Sequence, residues 1–596
     1  AQGEKLPAEV EEAIFDVSVT KTAYNANFER TCLSKYFGRY IPPESWHCSA
    51  VQAAMLALPR SLEDVGRVLG LDEQKMKEGK ELIRYFCVPC KPTKANGGRT
   101  RNLPCHAPEK WELFKTYCKR DVDVEKSIRR KLHNFPIPES EMELYRLDQR
   151  INDRGVLVDM GLVEQAIACE RLHKEVVTKR AYELTGLENP NSVAQLKGWL
   201  GDMGMEAESL SKKAVADMIE ETDGEVEELL RLRLLMAKTS VKKYEAMERS
   251  VCSDGRVHGL LQFYGANRTG RFAGRLVQIQ NLPQNHIPDL ELARDLVKQG
   301  RFEDVELFYD STPNVLSELI RTAFIPKPGC RFVVADFSAI EARVLAWLSG
   351  EQWRLDVFTS HGKIYEASAS SMFHVPMEDI TKGSPLRQKG KLAELGLGFG
   401  GAAGALISMG ALDMGLTEDE LPPLVAAWRK ANPHITQFWW DVDAAAIKAV
   451  TEKQKTKARK IIFEYKSGIL FITLPSGRKL SYVKPRMAVN RFGRDGLTYE
   501  GISENKKWSR IETYGPKLVE NIVQGTARDL LAEAMLRVEK KGYPIVMHCH
   551  DEIIAEVPEG IGSVDEMCEV MAVQPEWAVG LPLRADGYSC SFYQKQ

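Results

Sequence analysis

The spacing of apolar and polar residues changes along the chain and predicts stretches of different structure. Residues 1–137 mix short apolar strands with helices and end in a proline-containing linker. Helical periodicity dominates from 139 to about 250, and turn and strand signals dominate from about 255 to 345. A long helical block, interrupted at 432–433 and at 474–478, is predicted up to about residue 500, and the last hundred residues return to helix, hairpin and strand.

Two apolar runs of this pattern end in carboxylates. Residues 333–335 predict a buried strand that ends at Asp336, and residues 545–557 predict a hairpin whose tight turn carries His550, Asp551 and Glu552. Asp336 and Asp551 could therefore meet on neighbouring strands and bind hard cations through oxygen. An aspartate at a strand end is more often a turn former than a metal ligand, so the pair needs further support.

That support comes from four residues spaced four apart, which predict one row along a helix: Arg387, Lys391, Leu395 and Phe399. Two cations followed by an apolar residue and a ring would meet a nucleoside triphosphate in order, with the phosphates first and the base last. An ordinary surface helix could show the same spacing by chance. Four glycines between 396 and 401, each costing about 1 kcal/mol relative to alanine, favour a face that approaches a ligand closely or moves.

Composition and charge are those of an ordinary multidomain globular protein. The 596 residues are 44% hydrophobic and 28% charged, and the formal net charge of −2 gives no sign of a polyanionic partner. Twelve cysteines fit reduced thiols, and no apolar stretch is long enough for a membrane helix. The first residues lack the plan of a signal peptide, so a cytoplasmic location is expected. The missing initial methionine leads us to expect processing or truncation.

Two charged features keep alternative interpretations. A basic stretch that includes Lys238 and Lys242 is either a solvated helix face or a face that follows a phosphate backbone. Cys87 and Cys90 with Cys105 and His106 resemble a zinc site, but the adjacent pair is awkward for one ion, and ordinary thiols are favoured.

Residues 333–343, 387–400 and 545–557 together resemble motifs A, B and C of the family A DNA polymerases, the DNA polymerase I group with its phage and mitochondrial relatives. Further segments are similar to that family from about residue 139 onward: 269–271, 280–283 and 519–529, and, in the manner of its phage-type members, 428–433 and 474–478. The resemblance implies an α/β multidomain fold in the shape of a right hand, behind an N-terminal ribonuclease H-like 3′–5′ exonuclease domain. The domain boundaries that it implies are 1–137 (exonuclease-like, incomplete), 138–262 (thumb and its connection), 263–345 (first part of the palm), 346–500 (fingers) and 501–596 (second part of the palm).

The same resemblance implies the residues of the polymerase site. Asp336, Asp551 and the carbonyl of Phe337 would bind two Mg²⁺ ions, for which Mn²⁺ can substitute. Asp336, Asp551, Glu552 and Lys391 would be catalytic, with Lys391 as a proton donor to pyrophosphate. The other implied contacts are to dNTP (Arg387, Lys391, Leu395, Phe399, Glu341 and His550) and to DNA (Arg271, Gln280, Asn281, Gln524, Lys238 and Lys242).

Glu341 also has a physical interpretation of its own, because a side chain of that size beneath the sugar would block a ribose 2′-hydroxyl. Four positions depart from the family pattern: Phe337, Ala339, Leu395 and Phe399. Leu395 and Phe399 replace aromatic residues, so the pocket beside the sugar lacks a hydroxyl that is usual in the family.

The N-terminal region resembles the family's exonuclease incompletely. Glu29 and the pair Tyr117 and Asp121 match its second and third motifs, but no Asp-x-Glu of the first motif occurs in the 24 residues before Asn25. Such a site loses ligands for both of its ions, so we expect either a truncation or a structural remnant without proofreading. The competing interpretation is that another carboxylate, Asp16 or Asp123, completes the site.

The function expected from these features is template-directed addition of deoxynucleotides to a primer 3′-hydroxyl in DNA replication. The expected partners are primer–template DNA and dNTPs, with no membrane and a monomeric chain in the cytoplasm of a bacterial or phage-infected cell. Three alternatives remain: a nuclease with a clamp-like second half, a single-subunit RNA polymerase and a non-enzymatic DNA-binding scaffold. The missing first exonuclease motif argues against the nuclease, and Glu341 argues against the RNA polymerase. The presence of both aspartates argues against the non-enzymatic scaffold.

Overall fold

In the computed structural model, which describes residues 5–71, 76, 78–237, 241–309, 311–381, 383–490 and 493–595, the first part of the chain is mostly helical. Ser61 caps one helix by accepting a hydrogen bond from the Asp64 N–H, and the longest helix of this part begins with Pro108 in its first turn. The described strands here are β1 and β2, a parallel pair with Lys21 opposite Trp46. The elements are α1 (Ala8–Phe15), β1 (Lys21–Ala23), α2 (Ala26–Phe37), β2 (Trp46–Cys48), α3 (Ser49–Met55), α4 (Leu62–Val68), α5 (Gly79–Cys87) and α6 (Pro108–Leu132).

The helical prediction for residues 139–250 is confirmed apart from one short strand. Four of its helices enclose a small core of their own, which includes Val177, Leu196, Leu200 and Leu229. Lys238 lies outside the described residues. The elements are α7 (Glu139–Arg154), β3 (Val156–Val158), α8 (Met160–Thr185), α9 (Val193–Asp202), α10 (Lys212–Glu220), α11 (Gly224–Ala237) and α12 (Val241–Ser250).

Residues 256–349 combine short strands with helices that pack on them. β3 lies between β4 and β7 in a three-stranded sheet, and β5 pairs with β6 in a hairpin. The elements are β4 (Arg256–Val257), β5 (Leu261–Ala266), β6 (Arg271–Gly274), α13 (Leu290–Lys298), α14 (Phe302–Phe308), α15 (Thr312–Leu319), β7 (Phe324–Ile325), β8 (Cys330–Phe337) and α16 (Ile340–Ser349).

The predicted helical block ends at Thr451, and its extension to residue 500 is wrong. A six-stranded antiparallel sheet follows instead, in the order β14-β13-β12-β11-β10-β9. Ser467 and Gly468 both have positive φ between β10 and β11, so this pair makes a tight hairpin turn that a helical reading of the sequence overlooks. The elements are α17 (Gln352–Ser360), α18 (Ile364–Phe373), α19 (Pro385–Leu397), α20 (Ala403–Ser408), α21 (Leu421–Ala431), α22 (Pro433–Thr451), β9 (Thr456–Ala458), β10 (Ile461–Lys466), β11 (Ile469–Thr473), β12 (Lys479–Val489), β13 (Asp495–Ile502) and β14 (Trp508–Thr513).

The last part of the chain completes a four-stranded sheet with β8, in the order β15-β16-β8-β17. The elements are α23 (Gly515–Lys540), β15 (Ile545–Cys549), β16 (Glu552–Pro558), α24 (Val564–Met571) and β17 (Ala585–Cys590). Most of α23 is buried, and the largest core joins this helix and the sheet to α16 and α22. No helix in the described ranges is both long and apolar enough to cross a membrane.

Candidate active site

Three carboxylates meet at one end of the four-stranded sheet. Asp336 near the end of β8 stands opposite Glu552 at the start of β16, and the Phe337 N–H donates to the Asp551 carbonyl oxygen at 3.3 Å. The hairpin prediction is confirmed, with His550 in a left-handed conformation in its turn. The predicted meeting of Asp336 and Asp551 therefore occurs through adjacent strands.

Burial and mutual repulsion disfavour the ionised forms of these carboxylates. Burial and then the negative charge of Asp336 raise the pKa of Asp551 to about 7. Burial also raises the pKa of Glu552, which is 1% exposed. The buried Oδ1 atom of Asp336 has no hydrogen-bond partner among the described residues. The centre therefore holds more negative charge than its own donors neutralise.

Sequence reasoning missed two residues that contact this cluster. The Lys595 ammonium lies 3.2 Å from Asp336 Oδ2 and 3.0 Å from Glu552 Oε2. The Tyr593 hydroxyl donates to Glu552 Oε1 at 2.7 Å and accepts from Arg321 at 2.7 Å. No sequence motif marks either residue, because the contacts arise only when the last residues fold back beside β8.

The donor set fits a hard cation that keeps other ligands. Among the described residues, no group of three or more His, Cys, Asp or Glu side chains is arranged as a complete metal site. Mg²⁺, however, commonly binds to one or two protein carboxylates and takes its other ligands from water and phosphate. Asp336 and Asp551, with one unpartnered carboxylate oxygen, match that requirement.

A cavity of about 340 Å³ opens beside Asp551 and brings together several residues predicted to bind nucleotide or DNA. Its lining includes Arg271, Gln280, Glu341 and His550. The Gln280 side-chain oxygen Oε1 accepts from the His550 backbone N–H at 2.8 Å, and the Gln280 backbone carbonyl oxygen lies 2.9 Å from His550 Nε2. Burial lowers the pKa of His550. Gln280 thus fixes the turn that carries Asp551.

Arg271 and Glu341 form an ion pair across this cavity. Arg271 begins β6, and Glu341 lies in the first turn of α16, after Ala339 in a left-handed conformation. Each side chain is about one third exposed, at 31% for Arg271 and 35% for Glu341. The residue predicted to exclude a 2′-hydroxyl is therefore held by one predicted to contact the primer.

The predicted row on α19 is correct for three of its four members. Arg387, Lys391 and Leu395 lie within the helix, but the helix ends at Leu397 and Phe399 follows it. Arg387 pairs with Glu366 at 2.7 Å and lies over the Tyr365 ring. Lys391 and Leu395 are exposed.

The glycines of this segment have packing reasons. A Cβ on Gly390 would lie 2.3 Å from the Tyr365 carbonyl oxygen, so α18 and α19 approach closely there. Gly400 has a φ of +77° and faces Pro516, so it reverses the chain where the helix has ended. A Cβ on Gly401 would lie 2.0 Å from the Gly396 carbonyl oxygen, so within the run at 396–401 both Gly400 and Gly401 have packing reasons that require no bound ligand.

The remaining predicted DNA contacts are not in contact with the carboxylate cluster. Asn281 is exposed at the end of the short turn Ile279–Asn281, and Gln524 is half-buried on α23, one turn before the cavity-lining Arg528. Lys242 is exposed on α12.

A second cavity, of about 610 Å³, brings the exonuclease-like residues together. Glu29 and Asp121 line it with Glu125 and Asp148, and Tyr117 is hydrogen bonded to Asp121. Asp16 and Asp123, the other candidate carboxylates, are not in its lining.

The zinc alternative finds no support where its cysteines are described. Cys90 Sγ lies 3.4 Å from the Arg99 carbonyl oxygen, and His106 Nδ1 accepts from the Leu103 N–H at 2.8 Å. Neither Cys87 nor Cys105 belongs to a group of three or more potential metal-binding side chains among the described residues.

Comparisons with known proteins now define the class to which this fold and site belong. The profile of DNA polymerase family A matches residues 164–590. The DNA polymerase of Bacillus phage SP02 is 58% identical over 598 residues, which cover all of this chain and 92% of that protein. DNA polymerase I of Geobacillus stearothermophilus is 25% identical over 478 residues. The matched region covers 77% of this chain and 46% of that longer protein.

A solved structure agrees in fold. The POL domain of Pol1 from M. smegmatis, in complex with DNA primer-template and dNTP, matches with a TM-score of 0.63 and 19% identity. The match covers 98% of this chain and 88% of that one. This chain belongs to DNA polymerase family A and has the α/β fold of its polymerase domain. It is a DNA-directed DNA polymerase of phage type.

Proposed function

We propose that the protein extends a primer 3′-hydroxyl with deoxynucleotides in DNA replication, through phosphoryl transfer at Asp336 and Asp551. The observation that carries the proposal is the crowding of Asp551 against Asp336, which with burial raises the pKa of Asp551 to about 7, on the wall of a cavity that Asp551 shares with Arg271 and Gln280. The likeness to a phage polymerase over the whole chain supports a replicative role in a phage-infected bacterium.

Asp336 and Asp551 would hold two Mg²⁺ ions, with the Phe337 carbonyl as a further ligand. When bound, such ions stabilise charge on the attacking and leaving oxygens. Glu552 would position the site near the primer terminus. Mn²⁺ can replace Mg²⁺ at ligands of this kind.

The cations of α19 would bind the incoming nucleotide. Arg387 is already oriented by Glu366, whereas Lys391 is exposed and available to a triphosphate and to the departing pyrophosphate. Leu395 and Phe399 would contact the sugar and base, His550 would lie beside the nucleotide, and Glu341 would exclude a ribose 2′-hydroxyl. Arg271, Gln280, Asn281, Gln524 and Lys242 would contact primer–template DNA.

The elements also suggest a division into the parts of a polymerase hand. We assign the four-stranded sheet with α23 to the palm, the helices from α17 to α22 to the fingers, and the helices from α8 to α12 to the thumb. The six-stranded sheet would be an addition between fingers and palm, since it follows the last of the fingers helices.

The direct test is primer extension with labelled dNTPs, with and without Mg²⁺. We expect Asp336→Asn and Asp551→Asn each to abolish incorporation while primer–template affinity, measured by fluorescence anisotropy, changes little, because affinity comes from many phosphate contacts. Asp495→Asn, at the exposed start of β13, is the control for loss of a surface carboxylate. A tenth of wild-type turnover in either active-site variant would refute the assignment.

We further propose that residues 1–596 do not proofread. Four carboxylates line this cavity, but only Glu29 and Asp121 match the family's exonuclease motifs. Burial raises the pKa of Glu29 and raises that of Asp148 to about 8, which weakens both as cation ligands. A labelled mismatched primer with Mg²⁺ and no dNTP should therefore stay intact. Steady shortening from the 3′ end that disappears in Asp121→Ala would show an active exonuclease instead.

A further inference from the structure

The last described residues are built into the palm rather than lying loosely on it. The Tyr593 N–H donates to the Phe324 carbonyl oxygen at 2.9 Å. Asn285 and Lys595 exchange two hydrogen bonds: the Lys595 N–H donates to Asn285 Oδ1 at 2.7 Å, and the Asn285 N–H donates to the Lys595 carbonyl oxygen at 2.9 Å. These backbone anchors fix where the Lys595 side chain begins, independently of its charge.

The Lys595 ammonium then lies between two carboxylates of the catalytic cluster. It is 3.2 Å from Asp336 Oδ2 and 3.0 Å from Glu552 Oε2, and its side chain is 21% exposed. Tyr593 occupies the other oxygen of Glu552, whereas the other oxygen of Asp336 has no partner among the described residues. The ammonium thus neutralises one side of Asp336 and leaves the opposite side for a ligand.

We infer that Lys595 is a positioning residue and a built-in counter-cation of the polymerase centre, an inference that rests on the proposed function. It holds Asp336 and Glu552 together before divalent ions bind, and its positive charge disfavours a cation beside Asp336. Buried carboxylates repel one another, and a nearby ammonium reduces that repulsion. The same positive charge also opposes a divalent cation that binds to Asp336, so Lys595 sets how tightly ions bind in the absence of DNA and nucleotide.

The test measures Mn²⁺ binding to the full chain without DNA or nucleotide. The free ion is quantified by electron paramagnetic resonance at fixed pH and salt. We expect Lys595→Met to bind Mn²⁺ about five- to tenfold more tightly than wild type, since a unit charge a few ångströms away has an effect of that order even in high dielectric. Lys595→Arg, which keeps the charge, should stay near wild type. Unchanged or weaker binding in Lys595→Met would overturn the inference.

Three further variants make the result specific. Lys541→Met removes the same charge from a surface pair with Glu566 (3.1 Å) and should leave Mn²⁺ binding unchanged. Asp336→Asn measures Mn²⁺ bound elsewhere on the chain. Lys595→Gln replaces Lys595→Met if the methionine variant lowers the thermal unfolding midpoint, and the same tightening is required of it.

Failure of this inference and failure of the proposed function have different signatures. If Asp336→Asn lowers Mn²⁺ binding but Lys595→Met does not raise it, the ion site stands and the role of Lys595 falls. If Asp336→Asn retains incorporation of dNTPs, the proposed polymerase centre itself is wrong, whatever Lys595 does.

Discussion

At the scale of single residues, ion pairs already restrain two of the groups that would face the nucleotide. Glu341 pairs with Arg271, and Arg387 pairs with Glu366, whereas Lys391 is exposed on the same helix as Arg387. Side chains held in this way lose less conformational freedom when a ligand arrives. Glu341 and Arg387 would therefore define the shape of the site, whereas Lys391 can move to contact a charged substrate.

Glu341→Ala should lower the preference for dNTP over rNTP, because it opens the space beneath the sugar. Steric discrimination of this kind is worth a few kcal/mol, so we expect the ratio of kcat/KM values to fall by about 10- to 100-fold. Glu341→Gln keeps the size and loses the charge of the pair with Arg271, and it should keep most of the preference. An unchanged ratio in Glu341→Ala would remove the steric role.

Lys391→Ala should raise KM for dNTP and lower kcat, because this cation would meet the triphosphate where charge develops during transfer. Arg271→Ala should instead act mainly on the primer terminus. Lys389→Ala is the matched control, since Lys389 lies on the same helix and pairs with Glu420 at 3.2 Å. Equal losses of DNA affinity and dNTP affinity in Lys391→Ala would contradict the proposal that this row on α19 contacts the triphosphate.

At the scale of elements, α7 joins the exonuclease-like region to the rest of the chain and carries an unusual buried acid. Asp148 is fully buried and accepts hydrogen bonds on Oδ2 from Gln149 (3.0 Å) and Asn152 (3.2 Å), but its Oδ1 has no described partner. Burial raises its pKa to about 8. The fold therefore favours the protonated acid.

The sign of the pH effect follows from that shift. An aspartate with a pKa near 3.9 in the unfolded chain and about 8 in the folded one stabilises the fold at low pH and loses that contribution as pH rises toward 8. Relative to wild type, Asp148→Asn should thus gain stability as pH rises from 5 to 8, so that the difference between their free energies of unfolding shifts by up to about 4 kcal/mol in favour of the variant. Urea unfolding at several pH values measures this, with the exposed Asp123→Asn as the control. A constant difference across pH would contradict a protonated Asp148.

At the scale of the whole molecule, a buried charge network joins segments that are far apart in the sequence. Arg528 on α23 binds Glu141 on α7 through two hydrogen bonds of 2.5 and 2.7 Å. It also donates to the Gly270 carbonyl oxygen at 3.0 Å, just before Arg271. Arg478 extends the network through Asp529 and the Thr269 carbonyl oxygen. The turn that carries Arg271 is held by both arginines.

Glu141→Leu should destabilise the fold by about 3–5 kcal/mol, because it leaves the buried Arg528 without its carboxylate partner. The double variant Glu141→Leu with Arg528→Met should recover part of that loss, since it removes the unpaired charge. Denaturant unfolding of the single and double variants measures the coupling. Additive losses would show that the pair is not coupled.

What the sequence alone determined depends on local pattern. The strand ending at Asp336, the hairpin around Asp551 and the helices from 139 to 250 follow from periodicities that a few neighbouring residues set, so they are found as predicted. The helical interpretation of residues 456–500 was wrong because a two-residue turn, rather than periodicity, decided between helix and hairpin.

Tertiary structure alone decided which residues complete the site. Asn285 and Lys595 are 310 positions apart, Arg271 and Glu341 are 70 apart, and Glu141 and Arg528 are 387 apart. Such pairs carry no local signal, because ion pairing depends on distance in space and on burial, and both are set only when the four-stranded sheet and α23 close on the rest of the chain. The sequence thus identifies the carboxylates that we propose to be catalytic, and the fold supplies the cation that contacts them.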